Sequence, residues 1–141
     1  MEEQQYKLTK LDERKNNMIR VGESFDLFLE TLKHSNSEVL NLSDELIEYY
    51  LLEEFAIEAP AYLSEFTLNR LLNEGIIDAN ILEKGKTLQK MYLSMDQMKN
   101  WDASFIKESS EWGEIITLST KIFELVRQKW TEEEIKYLKT L

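Results

Sequence analysis

Apolar residues recur at helical spacing along most of the chain, and the longest clean run lies between Ser110 and Trp130. At about 100° per residue from Trp112, residues Ile115, Ile116, Ser119, Ile122, Phe123, Val126 and Trp130 fall within about 120° of one another. Glu114, Thr117, Lys121, Glu124 and Gln128 fall on the opposite side. A helix of that length spans about 30 Å. A stripe so rich in Trp, Phe and branched side chains has to be covered, and the rest of the chain reads as its cover.

A first helix is expected from about Leu11 to Lys33, with Leu11, Met18, Val21, Phe25, Phe28, Leu29 and Leu32 on one face and Gly22 among them. His34-Ser35-Asn36-Ser37 is a break, rich in side chains that bond their own backbone. Ser43 caps a second helix, with Asp44 and Glu45 in its first turn and Leu42 and Ile47 at the two positions of a hydrophobic staple. It is expected to run to about Glu58 and to stop before Pro60. Its pattern is poor. Leu46, Ile47, Tyr49, Tyr50, Leu51, Leu52, Phe55 and Ile57 go nearly all round, and acids interrupt every side. Such a helix is either packed on more than one face or leaves apolar surface for a partner.

Tyr62 to Glu74 reads as a third helix, closed by Gly75 in a left-handed conformation with Ile76 folding back. Asp78 caps a fourth, from Ala79 to about Lys99, with Ile81, Gly85, Leu88, Met91, Tyr92, Met95 and Met98 inward. A short helix between Asn100 and Glu108 carries Trp101, Phe105 and Ile106, and Ser109 or Ser110 caps the long helix. Thr131-Glu132-Glu133-Glu134 is a capping box for a last helix to Thr140. The pattern therefore predicts an all-α, single-domain bundle of five to six helices over residues 1–141, packed around the helix at about 110–130, with residues 1–6 as a loose tail.

Composition agrees with helices: the 141 residues include only four Gly and one Pro. The absence of Cys removes disulfides, thiolate metal sites and Cys nucleophiles. No apolar run approaches the length of a membrane span, and the acidic, polar start is unlike a signal peptide, so a soluble cytoplasmic protein is expected. The net charge of −10 disfavours binding to nucleic acid or to anionic membrane, which both call for Lys and Arg. The distribution of charge says more. From His34 to Asn69 there is no Lys or Arg, while Glu38, Asp44, Glu45, Glu48, Glu53, Glu54, Glu58 and Glu65 all lie in that window.

Motifs with chemistry are few. Gly85-Lys86-Thr87 looks like the end of a phosphate-binding loop, but the earlier Gly of that motif would fall on Asn80 and no strand precedes it. Gly85 is better explained as a close contact between helices. A single His rules out the paired Glu-x-x-His motifs of a di-iron bundle, and His34, in a break, reads as a surface residue. A Ser–His–acid triad would have to use that same His, without a nucleophile elbow. Leu71, Gly75 and Ile81 have helix-turn-helix spacing, but the reading helix would offer Asp78, Asn80, Glu83, Lys84 and Lys86, a poor surface for DNA. Trp130 to Glu134 looks like the opening of a Myb-type repeat, but too few residues follow for the remaining helices. No catalytic residue, cofactor site or metal site is expected.

The basic-free window is the feature with interaction content. Acids speed encounter with a cationic partner, and Tyr is enriched where binding energy concentrates. Glu45, Glu48, Tyr49, Glu53, Glu54, Glu58 and Tyr62 are the candidate partner-binding residues. In size, acidity and helical architecture the chain resembles the small helical immunity proteins that bacteria make against their own secreted toxins. That resemblance implies a non-enzymatic inhibitor of a basic toxin domain, and reversal of Glu48, Glu53, Glu54 and Glu58 to Lys should abolish protection. The alternatives are a regulatory or phage-type DNA-binding protein using Leu71 to Lys86, and a structural subunit of an assembly.

Overall fold

Among the described residues every regular element is helical, and the spacing of apolar residues accounts for most of them. The computed structural model describes residues 19–95 and 101–141. The expected helical start at Leu11, the inward Leu11, Met18 and Met98, and the loose tail lie outside these residues. In chain order the elements are α1 (Val21–His34), a 3₁₀ turn (Ser37–Asn41), α2 (Asp44–Glu48), a π-helical segment (Tyr49–Glu54) and α3 (Phe55–Tyr62). Then come α4 (Glu65–Asn73), α5 (Ala79–Leu93), α6 (Ala103–Glu108), α7 (Ser110–Lys129) and α8 (Glu132–Leu138). Among the described residues there is no strand, and no helix is long and apolar enough to cross a membrane.

The bundle has two central members. α7 buries Trp112, Ile115, Ile116, Ser119, Ile122 and Val126 as its period requires, half-buries Phe123 and Trp130, and packs on α5, α1 and α6. α1 buries Phe25, Phe28, Leu29 and Leu32, with one side on α7 and the other on the π segment, α3 and α4. The core is therefore shared between α1 and α7 rather than built round α7 alone. Buried hydroxyls pin their crossing. Ser119 Oγ donates to Leu32 O at 3.0 Å, and Ser35 Oγ, 2.7 Å from it, donates to Thr31 O. Ser37 N donates to Thr120 Oγ1 at 3.0 Å, so the end of α1 is held in place just beyond His34.

The caps follow the sequence. Ser43, Asp78, Ser109 and Thr131 each accept a backbone N–H of the first turn, and Thr131 with Glu134 forms a complete capping box. Gly75 has φ +74°, and the N–H groups of Gly75 and Ile76 bond back to Leu72 O and Leu71 O. Gly85 is the expected close contact: a Cβ there would lie 3.1 Å from the Leu68 side chain. Gly22 is tighter still. A Cβ there would lie 2.4 Å from Lys139 O, and Gly22 N donates to Leu141 O at 2.8 Å.

Four features depart from expectation. α1 begins at Val21, behind a non-helical Arg20, rather than running through from Leu11, and α5 ends at Leu93 rather than near Lys99. The second helix does not stop before Pro60 but continues through it to Tyr62, so the next helix starts only at Glu65, capped by Ser64. Proline lacks an N–H and crowds the preceding turn, but here only two helical residues follow it. The carbonyls of that last turn find other donors: Gln89 Nε2 donates to Ala59 O and Pro60 O, and Ser64 Oγ donates to Ala61 O. The last departure is the π segment, where Phe55 N donates to Tyr50 O, five residues back.

Candidate functional site

The π segment decides what the 44–62 region presents. Ile47, Leu51, Phe55, Ala59 and Leu63 are all fully buried and are spaced strictly by four. In a regular α-helix each step of four drifts by roughly 40°, so the line would wander by about 160° from Ile47 to Leu63. The wider i→i+5 turn takes up much of that drift and keeps the line on the core. The same wide turn leaves Leu46, Tyr49, Glu53 and Ile57 exposed along the other side, Ile57 at 73%. The poor periodicity of this stretch thus has two causes: a buried line at a non-α spacing and apolar residues left outside.

The acids divide in two. Glu45 and Glu53 are exposed and Glu48 is half-buried, and among the described residues none of the three is paired with a base. The window is basic-free in sequence but not in space at its ends, where Lys107 pairs with Asp44 at 3.1 Å and Lys86 with Glu65 at 3.4 Å. Tyr62 is at the far end of the rod, half-buried in a separate cleft of about 250 Å³ beside Pro60 and Phe66, away from the other candidates.

Glu58 does not belong to an outward acidic face. It is 7% exposed and is turned towards α1, where its Oε1 is 2.7 Å from His34 Nδ1. The reading of His34 as a surface residue of a break is overturned by the same contact. His34 is the last residue of α1 and stacks on Tyr50 at 4.9 Å with 14° between the rings. Its Nε2 faces Glu30 at 3.6 Å. Glu54 is half-buried one turn before Glu58 and accepts a hydrogen bond from the Tyr49 hydroxyl. The structure therefore brings Tyr49, Glu54 and Glu58 together around a residue the sequence had not singled out. The sequence holds a single His and a Glu pair at i and i+4, but nothing in it sets the two against each other. His34 and Tyr50 also form part of the wall of an open cleft of about 500 Å³, with Lys33, Phe123 and Arg127.

Burial pushes the Glu58 carboxyl above its usual 4.5. The His34 hydrogen bond and charge oppose the rise, and Glu54 and Glu30 add to it. An acid with a raised folded-state pKa holds its proton more tightly when folded, so stability falls as the pH rises from 4.5 through the folded pKa. Glu58→Gln is expected to flatten the plot of melting temperature against pH just above pH 4.5; an unchanged slope would refute the assignment. Tyr49 is raised above 10.0 by its hydrogen bond to Glu54 and by that carboxylate's charge.

Comparison with family models, with curated proteins and with solved structures returned no match.

Proposed function

We propose that the protein is a non-enzymatic binding protein that masks a basic surface on a protein partner, in the manner of an immunity protein on a toxin domain. The observation that carries this reading is the outward face of the 44–62 rod. Leu46, Tyr49 and Ile57 are exposed there, and among the described residues no base is paired with the acids Glu45, Glu48 and Glu53 between them. Apolar anchors with Tyr supply contact area, and unpaired acids supply steering and discrimination against acidic partners. The partner chemistry that fits is a surface rich in Lys and Arg with apolar hollows between them.

Glu58 takes no part in this face, so the variant that tests it is Glu45→Lys, Glu48→Lys and Glu53→Lys together. Affinity capture at low salt should recover one stoichiometric basic protein that high salt releases. Titration of that protein should show the triple variant, still helical by circular dichroism, binding about tenfold or more weakly. Unchanged affinity of the folded variant would sink the reading. Recovery of duplex DNA in place of a protein would replace it with binding through the Leu71 to Lys86 corner.

A further inference from the structure

The cluster at the junction of α1 and the π segment has an arrangement that the protein-binding reading does not use. His34 offers an imidazole nitrogen, and Glu54 and Glu58 each offer a carboxylate oxygen, and these three donor atoms all lie within 4.8 Å of one another. The geometry points to a divalent transition-metal site of the zinc class, with His34, Glu54 and Glu58 as its three protein ligands.

The argument is one of placement and charge. Glu54 and Glu58 are separated by four residues and stand one above the other on the same side of their helix. His34 comes from the neighbouring helix, so the ligand set joins two elements that are distant in sequence. Around a tetrahedral zinc, donors about 2.0–2.2 Å from the ion are roughly 3.4 Å apart. His34 Nδ1 and Glu58 Oε1, at 2.7 Å, would have to part to reach that spacing, and any pair near the 4.8 Å limit of the set would have to close. The π segment ends at Glu54, and wide turns of this kind occur often at functional sites.

The electrostatics favour a cation. Glu30, Glu54 and Glu58 surround one imidazole, and among the described residues the only Lys or Arg paired with any of the three is Lys33, 3.6 Å from Glu30. Glu58 is buried among these charges, and a divalent ion would compensate them where a single imidazolium cannot. The donor set selects the class of ion. An imidazole with two carboxylates suits zinc and its neighbours, whereas calcium takes six to eight oxygens and magnesium keeps most of its water. Glu30 stays outside the triad. Three protein ligands leave a fourth position for water or for a donor from outside; of the three, His34 also lines the open cleft.

The test uses untagged, chelator-treated full-length protein, with zinc chloride as titrant in calorimetry. His34 is the only histidine, so its imidazole signals in a nitrogen-15 correlation spectrum report on this site alone. The expected result is one zinc per chain with micromolar or tighter affinity, a shift of the His34 ring nitrogens at stoichiometric zinc, and no such shift with magnesium in large excess. Affinity should rise with pH as ligand protons are displaced. H34Q and E54Q should each weaken binding at least tenfold while E45Q, on the outward face, leaves it unchanged. E58Q should behave like H34Q, and if it does not fold, the other two variants decide the matter. Absence of saturable binding overturns the proposal. So does zinc that binds without moving His34 or with undiminished affinity in H34Q and E54Q, and so does an equal response to magnesium. None of these outcomes depends on the partner-binding face, whose triple variant retains all three ligands.

Discussion

Trp112→Ala is expected to lower the stability of the fold by about 3–5 kcal/mol, the usual range for deleting a large aromatic from a core. Trp112 is 2% exposed and lies in the first turn of α7. Its ring is 6.3 Å from each of Phe55, Tyr92 and Trp101, and Phe55 meets Tyr92 edge-on at 5.1 Å. It therefore joins α3, α5 and α7 at one point, and these elements cannot all close over the space it would leave. A domain of ordinary stability has about 5–15 kcal/mol in total, so the variant should lose roughly a fifth of it or more. Urea unfolding followed by far-ultraviolet circular dichroism measures this without relying on the Trp signal that the substitution removes. Trp112→Phe should lose clearly less. It keeps most of the ring, and the indole N–H that it discards is buried with no hydrogen-bond partner among the described residues. Equal losses in the two variants would show that ring packing is not what holds the cluster.

Gly22→Ala should destabilise the protein, whereas Gly113→Ala should stabilise it. Both glycines are helical, and Ala is the better helix former by about 1 kcal/mol at an unobstructed position. The difference is what a methyl group would meet. At Gly113 there is nothing within 4 Å, so the gain from replacing glycine is realised. At Gly22 the methyl would lie 2.4 Å from Lys139 O and 2.7 Å from Leu138 O, both backbone atoms. Either α1 or the turn after α8 must move, and the hydrogen bonds from Gly22 N to Leu141 O and from Arg20 to Thr140 O would be strained or lost. The expected loss is about 3 kcal/mol, the upper end for overpacking, because backbone cannot swing aside as a side chain can. Opposite shifts of melting temperature in the two variants check the prediction. A stabilised Gly22→Ala would mean that the last residues of the chain are not held against α1.

These two sites show how far the sequence could be read. The 3.6-residue period placed α1, α5 and α7 and their inward faces, because each is packed along one stripe and its polar side is solvated. Side-chain caps were legible at Ser43, Asp78 and Thr131 because capping is local: donor and acceptor lie three residues apart. Contacts between distant segments were not legible. Nothing in the neighbourhood of Gly22 indicates that residues 139 and 141 lie against it, and nothing near His34 indicates Glu58. The misreadings of His34 and Glu58 have this one origin, since an ionisable side chain is taken as solvated unless its partner is adjacent in sequence. The 44–62 stretch failed for a different reason. Its buried residues are spaced by four, and a test for a 3.6 period scores such a line as noise.

The extra residue in that stretch has a further consequence. A π turn is a dislocation in the hydrogen-bonding lattice of a helix. It can travel by exchanging i→i+5 for i→i+4 bonds, but it cannot vanish unless a residue is removed. Here Ile47 on one side and Phe55 on the other are fully buried, and for the defect to pass either of them that side chain would have to turn away from the core. The dislocation is therefore confined to the turn that carries Tyr49, Tyr50, Glu53 and Glu54. Leu51, inside the same turn, is fully buried as well, so the defect is held where it stands and the directions of those four residues are fixed with it.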